Sequence, residues 1–171
     1  GFIIVIRDMA IMIIKSSLLS IFLSLLLVGI ISTLFFKNIA WGILSIIPLG
    51  TAIILNFGLM GHFDAKLNHI TAILSSIIIG VGVDFAIHYI SQFRRLSKNK
   101  GNINQKAINE VGYPILLDAG SNMGFGALIF SAFIPVQYIG GLMTFAMIST
   151  SLGTLIILSS LVELFKNKLI N

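Results

Sequence analysis

The chain has 171 residues, of which 57% are hydrophobic and 10% are charged, and its formal net charge is +5. Soluble domains contain about 25% charged residues, so this composition indicates a protein of the lipid bilayer. In so apolar a chain, the basic residues are expected to mark the cytoplasmic face, and nucleic acid is not an expected partner. The sequence contains no cysteine, which excludes disulfides and thiolate metal sites within it.

Residues 1–15 come before the first long uncharged stretch and contain Arg7, Asp8 and Lys15. We expect this segment to be the end of an extracytoplasmic region or an interfacial helix that lies along the membrane surface. The alternative is a first span that begins before residue 16. Because the chain starts at Gly1 within an apolar pattern, we expect it to be a piece of a longer protein.

Five stretches with few charged residues follow, each close to the roughly 20 residues that a helix needs to cross the hydrocarbon core. Helices are expected because an open sheet leaves backbone groups unpaired in lipid, and the sequence lacks the alternation of barrel strands. The predicted fold is an all-α integral membrane protein, with a five-transmembrane-helix bundle in residues 16–171. The predicted spans cover about residues 16–36, 39–61, 67–93, 111–133 and 138–164.

The distribution of lysine and arginine predicts the orientation. If the connection 94–109 is cytoplasmic, then Lys37 and the C-terminal lysines share its side, and Arg7, Lys15 and Lys66 lie opposite. Eight of the 11 basic residues are then inside, in agreement with the positive-inside rule. We therefore expect a protein of the cytoplasmic (inner) membrane, with the C-terminus in the cytoplasm and the N-terminus outside.

The third span carries an acid. Asp84 lies ten residues before Arg94, which is about 15 Å along a helix and close to the bilayer midplane. An ionised carboxylate there costs about 2.5–3.5 kcal/mol on insertion scales. Helical spacing places Gly80, Asp84 and His88 near one stripe. Because desolvation favours a neutral carboxyl group, we predict that Asp84 takes up and releases a proton. The alternative is a neutral acid that only hydrogen-bonds neighbouring helices.

A second acid, Asp118, lies in the fourth span and is followed on the same helical face by Ser121 and Asn122. One arrangement that the sequence leaves open is that the two polar faces meet inside the bundle. Asp118 has two open interpretations, a relay role and a packing role. His88 also has two, a relay role and that of an amphipathic side chain satisfied by a backbone carbonyl or by water.

The segment "NHITAILSSIIIGVGVDFAIHYISQFRR" resembles the fourth transmembrane helix of one half of a resistance-nodulation-division (RND) exporter of the MMPL type. That helix has the pattern Gly-hydrophobic-Gly-hydrophobic-Asp-aromatic-x-x-His. The later segment "SNMGFGALIFSAFIPVQYIGGL" is similar to the next helix and turn of the family. The resemblance covers nearly the whole chain from about Ser16, and the order of spans agrees with the five helices that follow the porter domain.

The resemblance implies the transmembrane half of an exporter driven by the proton-motive force, with Asp84 as the proton-coupling acid and His88 and Asp118 in the relay. Phe85 stands where many relatives have tyrosine. The supporting polar and packing residues are Gly80, Gly82, Ser121, Asn122 and Gly124. Expected partners are the lipid bilayer, a hydrophobic or lipid-like substrate, and a second RND-like half of the same full-length chain, or a homo-oligomer.

Two other classes remain open. The five-helix unit also resembles the sterol-sensing domain, which implies a sensory or regulatory module, and an accessory subunit of protein export is the other alternative. No cofactor is expected. We do not expect an enzyme, because no serine, histidine and acid are arranged as a triad and the three histidines lack a metal-ligand spacing.

Overall fold

The computed structural model describes residues 2–63, 69–97 and 102–169. Every regular element in these ranges is a helix, so the prediction of an all-α membrane bundle is confirmed. The long helices are α1 (Phe2–Phe36), α2 (Ile39–His62), α3 (His69–Leu96), α4 (Ile103–Asn122), α5 (Ile134–Leu152) and α6 (Ser159–Leu169). A 3-10 helix (Met123–Phe130) follows α4, and a π-helix (Gly153–Leu158) joins α5 to α6.

Four helices in the described ranges are long and apolar enough to cross a membrane. They are Ile4–Phe36, Ile39–His62, Ile73–Leu96 and Ile134–Lys166. The predicted start of the third span at residue 67 lies outside the described residues, as do Lys66, Lys98 and Lys100.

The predicted span 111–133 is not one of these four helices, and it is built from two kinds of helix, the second half of α4 and the 3-10 helix. At about 1.5 and about 2.0 Å per residue, these two pieces laid end to end are as long as a hydrocarbon core. The change of helix type occurs where α5 comes very close. A Cβ atom added to Gly140 of α5 would lie 2.9 Å from the carbonyl oxygen of Phe125 and 2.8 Å from the amide nitrogen of Ile129.

Helix α1 runs without a break through Lys15, so residues 2–15 do not form an element separate from the first span. Its 35 residues are about 52 Å long, whereas the hydrocarbon core is about 30 Å thick. A helix this long either tilts or extends well beyond the core at one end. The charged pair Arg7 and Asp8, joined at 3.0 Å, lies near the N-terminal end of α1.

Basic residues of the described ranges lie at both ends of the bundle. A two-residue connection reverses the chain between α1 and α2, with Lys37 at a positive φ of 54° and the Asn38 side chain accepting a hydrogen bond from Ala40 N. The Arg94 guanidinium lies 5.4 Å from the ring centroid of Phe36, so α3 ends at the same side of the bundle as α1. Arg7 lies near the opposite end of α1.

Helix α3 is the centre of the bundle and packs against α1, α2, α4 and α5. Phe85, Tyr89 and Phe93 of α3 are fully buried. The ring of Trp41 from α2 lies 5.9 Å from that of Phe93, and the rings of Tyr89 and Phe93 are stacked at 6.3 Å. This aromatic packing fixes the rotation of α3 about its own axis and therefore decides which of its residues face outward.

Candidate functional site

One face of α3 is not covered by the other residues that the structure describes. Its exposed residues recur at helical spacing and are Ile73, Ile77, Gly80, Asp84, His88 and Ser91, which we name the open stripe. A Cβ atom added to Gly80 would meet nothing within 4 Å. The open stripe therefore has room for another helix to approach closely beside Asp84.

Asp84 lies exposed in the middle of the open stripe. Within the described ranges, its carboxylate makes no hydrogen bond and no ion pair. At the depth of the bilayer midplane, an ionised carboxylate that faces lipid costs at least about 2.5–3.5 kcal/mol. The acid therefore requires a protonated state, water or a covering polypeptide in the membrane.

His88 lies one turn further along the open stripe and is also exposed. In the part of the chain that the structure describes, it makes no hydrogen bond. Phe85, the aromatic residue after the acid, points the other way and is fully buried in the core. A tyrosine at position 85 would therefore direct its hydroxyl into this bundle rather than along the open stripe.

The two glycines of "GVGVD" have different surroundings. Gly82 is buried, and a Cβ atom there would lie 2.7 Å from Leu49 Cδ2 of α2 and 2.9 Å from Thr150 Cγ2 of α5. Gly82 thus permits the close packing of α3 inside the bundle, whereas Gly80 leaves space outside it. Small residues allow this close approach of membrane helices.

Asp118 is exposed on α4. The Asn122 amide nitrogen donates to Asp118 Oδ1 at 3.2 Å and to the Asp118 carbonyl oxygen at 3.0 Å. The Ser121 hydroxyl donates instead to the Leu117 carbonyl oxygen at 3.0 Å. Gly124, in the 3-10 helix that follows, is exposed with open space around it. Of the residues predicted to support Asp118, Asn122 is therefore the one that contacts its carboxylate.

The structure does not bring the two acids together inside this bundle. Asp84 and Asp118 are both exposed, and in the described ranges no hydrogen bond joins them. Asp84 and Asp118 nevertheless lie at a similar distance from one end of the bundle. The Arg95 guanidinium contacts the Glu110 carboxylate at 3.0 Å, and from this ion pair each acid lies roughly 12–16 Å along its own helix toward the middle of the bundle.

Sequence reasoning missed the polar contacts that join α3 to α4. Gln92 donates to the same Glu110 carboxylate oxygen that Arg95 contacts, and the Tyr89 hydroxyl donates to Asn104 Oδ1. These contacts hold the two acid-bearing helices at one end. The sequence signal that could have revealed these contacts is Glu110, the acid in the first half of α4, opposite the arginines that end α3.

Comparison with known proteins places the chain among membrane proteins. No protein-family model matches it. Over 105 residues, or 58% of the chain, it is 30% identical to MJ1562 of Methanocaldococcus jannaschii, a protein named as a membrane protein. Over 132 residues, or 75% of the chain, it is 23% identical to the solvent-resistant pump membrane transporter SrpB of Pseudomonas putida. The matches cover 27% and 12% of these relatives' own lengths.

Together, the helical bundle and these similarities define an all-α integral membrane protein. Its candidate site is the open stripe of α3, on which an acid without a partner in the described chain lies near the middle of the candidate membrane span Ile73–Leu96.

Proposed function

We propose that this chain is the transmembrane half of an RND exporter of the MMPL type, driven by the proton-motive force, that moves hydrophobic or lipid-like substrates. The observation that carries the proposal is the carboxylate of Asp84 on the open stripe, which has no partner among the described residues. The similarity to a protein named as a solvent-resistant pump supports the transporter class. Each relative is much longer than this chain, so the activity belongs to the longer protein.

In this proposal, the charge of Asp84 controls how the open stripe packs. A neutral carboxyl group tolerates apolar neighbours, whereas a carboxylate requires a cation, a hydrogen-bond donor or water. One proton that moves down a potential of 100 mV releases about 2.3 kcal/mol. Repeated protonation and release at Asp84 would therefore drive alternation between two packing arrangements of α3. His88 and Asp118 serve as relay groups that exchange the proton with the two sides.

A second RND-like half of the same full-length chain is the proposed partner on the open stripe. Gly80 leaves room for a close helix, and a covering helix removes the cost of exposing Asp84 to lipid. A homo-oligomer would cover the same face with a second copy. We propose no enzymatic step for this chain.

The test is the Asp84→Asn variant of the full-length protein. Asparagine keeps the size of the side chain and most of its hydrogen bonding but cannot titrate. We expect normal insertion and loss of the uncoupler-sensitive export of a lipid or dye from energised cells at matched protein levels. The control is Asp8→Asn, which removes an exposed acid outside the open stripe and should keep export. Full uncoupler-sensitive export by Asp84→Asn would contradict proton coupling and would favour a sensory module resembling the sterol-sensing domain.

The proposed orientation places the connection 94–109 and the C-terminus in the cytoplasm and the N-terminus outside the cytoplasmic membrane. We expect a cysteine introduced at the exposed Asn102 to resist an impermeant thiol reagent in intact cells and to react after permeabilisation. Any cysteine elsewhere in the full-length protein is first replaced. A cysteine at Asp8, near the other end of the bundle, is the control and should react in intact cells. The reverse labelling pattern would overturn the orientation.

A further inference from the structure

The last span, formed by α5, the π-helix Gly153–Leu158 and α6, changes its hydrogen-bond pattern along its length. At the end of the π-helix, the Ser159 amide donates to the carbonyl oxygens of Thr154 and Ile156. In a continuous α-helix, this amide would donate to the carbonyl oxygen of Leu155. The Ser159 hydroxyl donates to the Leu155 carbonyl oxygen instead, at 2.5 Å. The side chain therefore compensates for the hydrogen bond that its own amide does not make in the π register.

Thr154 shows that the π register carries a penalty. This residue is fully buried, and its hydroxyl has no hydrogen-bond partner in the described chain. Thr144 and Thr150 of α5 each donate to a carbonyl oxygen four residues back, at 2.8 and 2.6 Å. In a continuous α-helix, Thr154 would be able to do the same. Because a buried hydroxyl without a partner is unfavourable, a change to the α register would relieve a penalty that the π register contains.

The π-helix packs against a second interruption, which lies in α2. Pro48 has no amide hydrogen, so the Leu44 carbonyl oxygen lacks its usual donor within that helix. A Cβ atom added to Gly153 would lie 3.5 Å from Pro48 Cβ and 3.6 Å from the Pro48 carbonyl oxygen. Sharp bends in helices occur mostly at prolines and at π-turns. The contact of these two interruptions therefore gives α2 and the last span a common point of bending.

Helix α6 carries suitable residues for either register. A π-turn holds one residue more than an α-turn, so its loss would rotate α6 by about 100° relative to α5. Leu161 would then take the place of Val162, which is fully buried. Glu163 would take the place of Leu164, which is 78% exposed. The rotation therefore replaces one buried aliphatic side chain with another and leaves the carboxylate exposed.

We propose that Pro48 and the π-helix Gly153–Leu158 form a hinge, at which the last span changes between the π register and a continuous α register and thereby rotates α6. The hinge is connected to the acid-bearing helix. A Cβ atom added to Gly82, two residues before Asp84, would lie 2.9 Å from Thr150 Cγ2, one turn before the π-helix. In so far as the protonation of Asp84 sets the register, this proposal rests on the proposed exporter function and names its moving element.

The test uses the full-length protein in membranes, with any other cysteine replaced, and two single-cysteine reporters, Val162→Cys and Leu161→Cys. The rate of reaction with N-ethylmaleimide measures how exposed each position is. Ser159→Ala removes the donor to the Leu155 carbonyl oxygen in the π register, whereas the α register supplies the amide. We therefore expect the rate at position 162 to rise about fivefold, which is the effect of losing one hydrogen bond. The rate at position 161 should stay equal or fall, because the α register buries it.

Thr154→Val should act in the opposite direction. Valine has a similar size and shape but no hydroxyl, so it removes the penalty of the π register, and the rate at position 162 should fall about fivefold. This variant keeps the test decisive where Ser159→Ala lowers the amount of folded protein. The matched control is Ser149→Ala. The buried Ser149 hydroxyl also donates to a carbonyl oxygen four residues back, at 2.8 Å, but it lies within α5, so its loss should leave both rates unchanged.

Three results would each overturn the hinge. They are equal effects of Ser159→Ala and Ser149→Ala, a rise at both reporter positions, which indicates local loosening rather than rotation, and unchanged rates in both Ser159→Ala and Thr154→Val. The Asp84→Asn variant separates this proposal from the proposed function. If Asp84→Asn keeps export while Ser159→Ala and Thr154→Val shift the rates in opposite directions, the exporter mechanism fails and the hinge stands. If Asp84→Asn loses export while those two variants leave the rates unchanged, the hinge fails and the exporter mechanism stands.

Discussion

The two faces of α3 differ in what covers them. On one face, Phe85, Tyr89 and Phe93 are fully buried against the other helices of the chain. On the other face, Asp84 and His88 are exposed, and the described part of the chain supplies nothing to cover them. Lipid tails are as apolar as a protein core, so apolar character alone does not distinguish a protein-facing side from a lipid-facing one. In this helix, the polar residues identify the face on which we propose that a second half packs.

The largest expected effect concerns the buried face. Phe85→Ala removes a fully buried ring and leaves a cavity, so we expect a loss of about 3 kcal/mol in the free energy of unfolding. Phe130→Ala is the matched control, because that ring is 91% exposed and its loss should cost less than about 0.5 kcal/mol. Unfolding of both variants by denaturing detergent in mixed micelles measures the difference. Equal losses would show that the assignment of inner and outer faces is wrong.

The next effect compares the two glycines of "GVGVD". Gly82→Ala should destabilise the fold by about 1–3 kcal/mol, because its Cβ would press against Leu49 and Thr150. Gly80→Ala has open space and should be neutral, or stabilising by up to about 1 kcal/mol through helix propensity. The same unfolding measurement checks both variants. A larger loss for Gly80→Ala than for Gly82→Ala would mean that the outer face of α3 is already packed within this half.

Composition was sufficient to predict the all-α fold, because a run of about 20 apolar residues has few options in lipid other than a helix. Composition was not sufficient to predict the change of helix type within residues 111–133. The 3-10 helix there lies where the backbone of α5 at Gly140 comes close to Phe125, and this is a tertiary contact that local propensity does not encode. Composition also did not decide whether α1 continues through Lys15, because a charge inside a helix ends an apolar pattern without ending the helix.

The sequence predicted that Gly80, Asp84 and His88 lie along one helical face. It did not show whether that face turns toward the other helices of the chain or outward. One arrangement that the sequence left open was that the two polar faces meet inside the bundle, because a charged group in a span usually turns away from lipid. In the proposed exporter, however, a second half packs on this face, so the interior of the full assembly is the surface of this chain. Only the packing of Phe85 and Phe93 shows how α3 is rotated.

The smallest expected effects concern the relay residues in the export assay of the full-length protein. Asp118→Asn keeps the contact geometry with Asn122 but removes a charge-assisted hydrogen bond, so we expect about a fivefold loss of uncoupler-sensitive export. His88→Asn should lower export less than about twofold, because water can replace an exposed imidazole that has no partner in the described chain. Initial export rates at matched protein levels give the order of the three variants, with Asp84→Asn as the most severe. A loss from His88→Asn as large as that from Asp84→Asn would show that the histidine is a required proton carrier, and the open stripe would then hold two essential titrating groups rather than one.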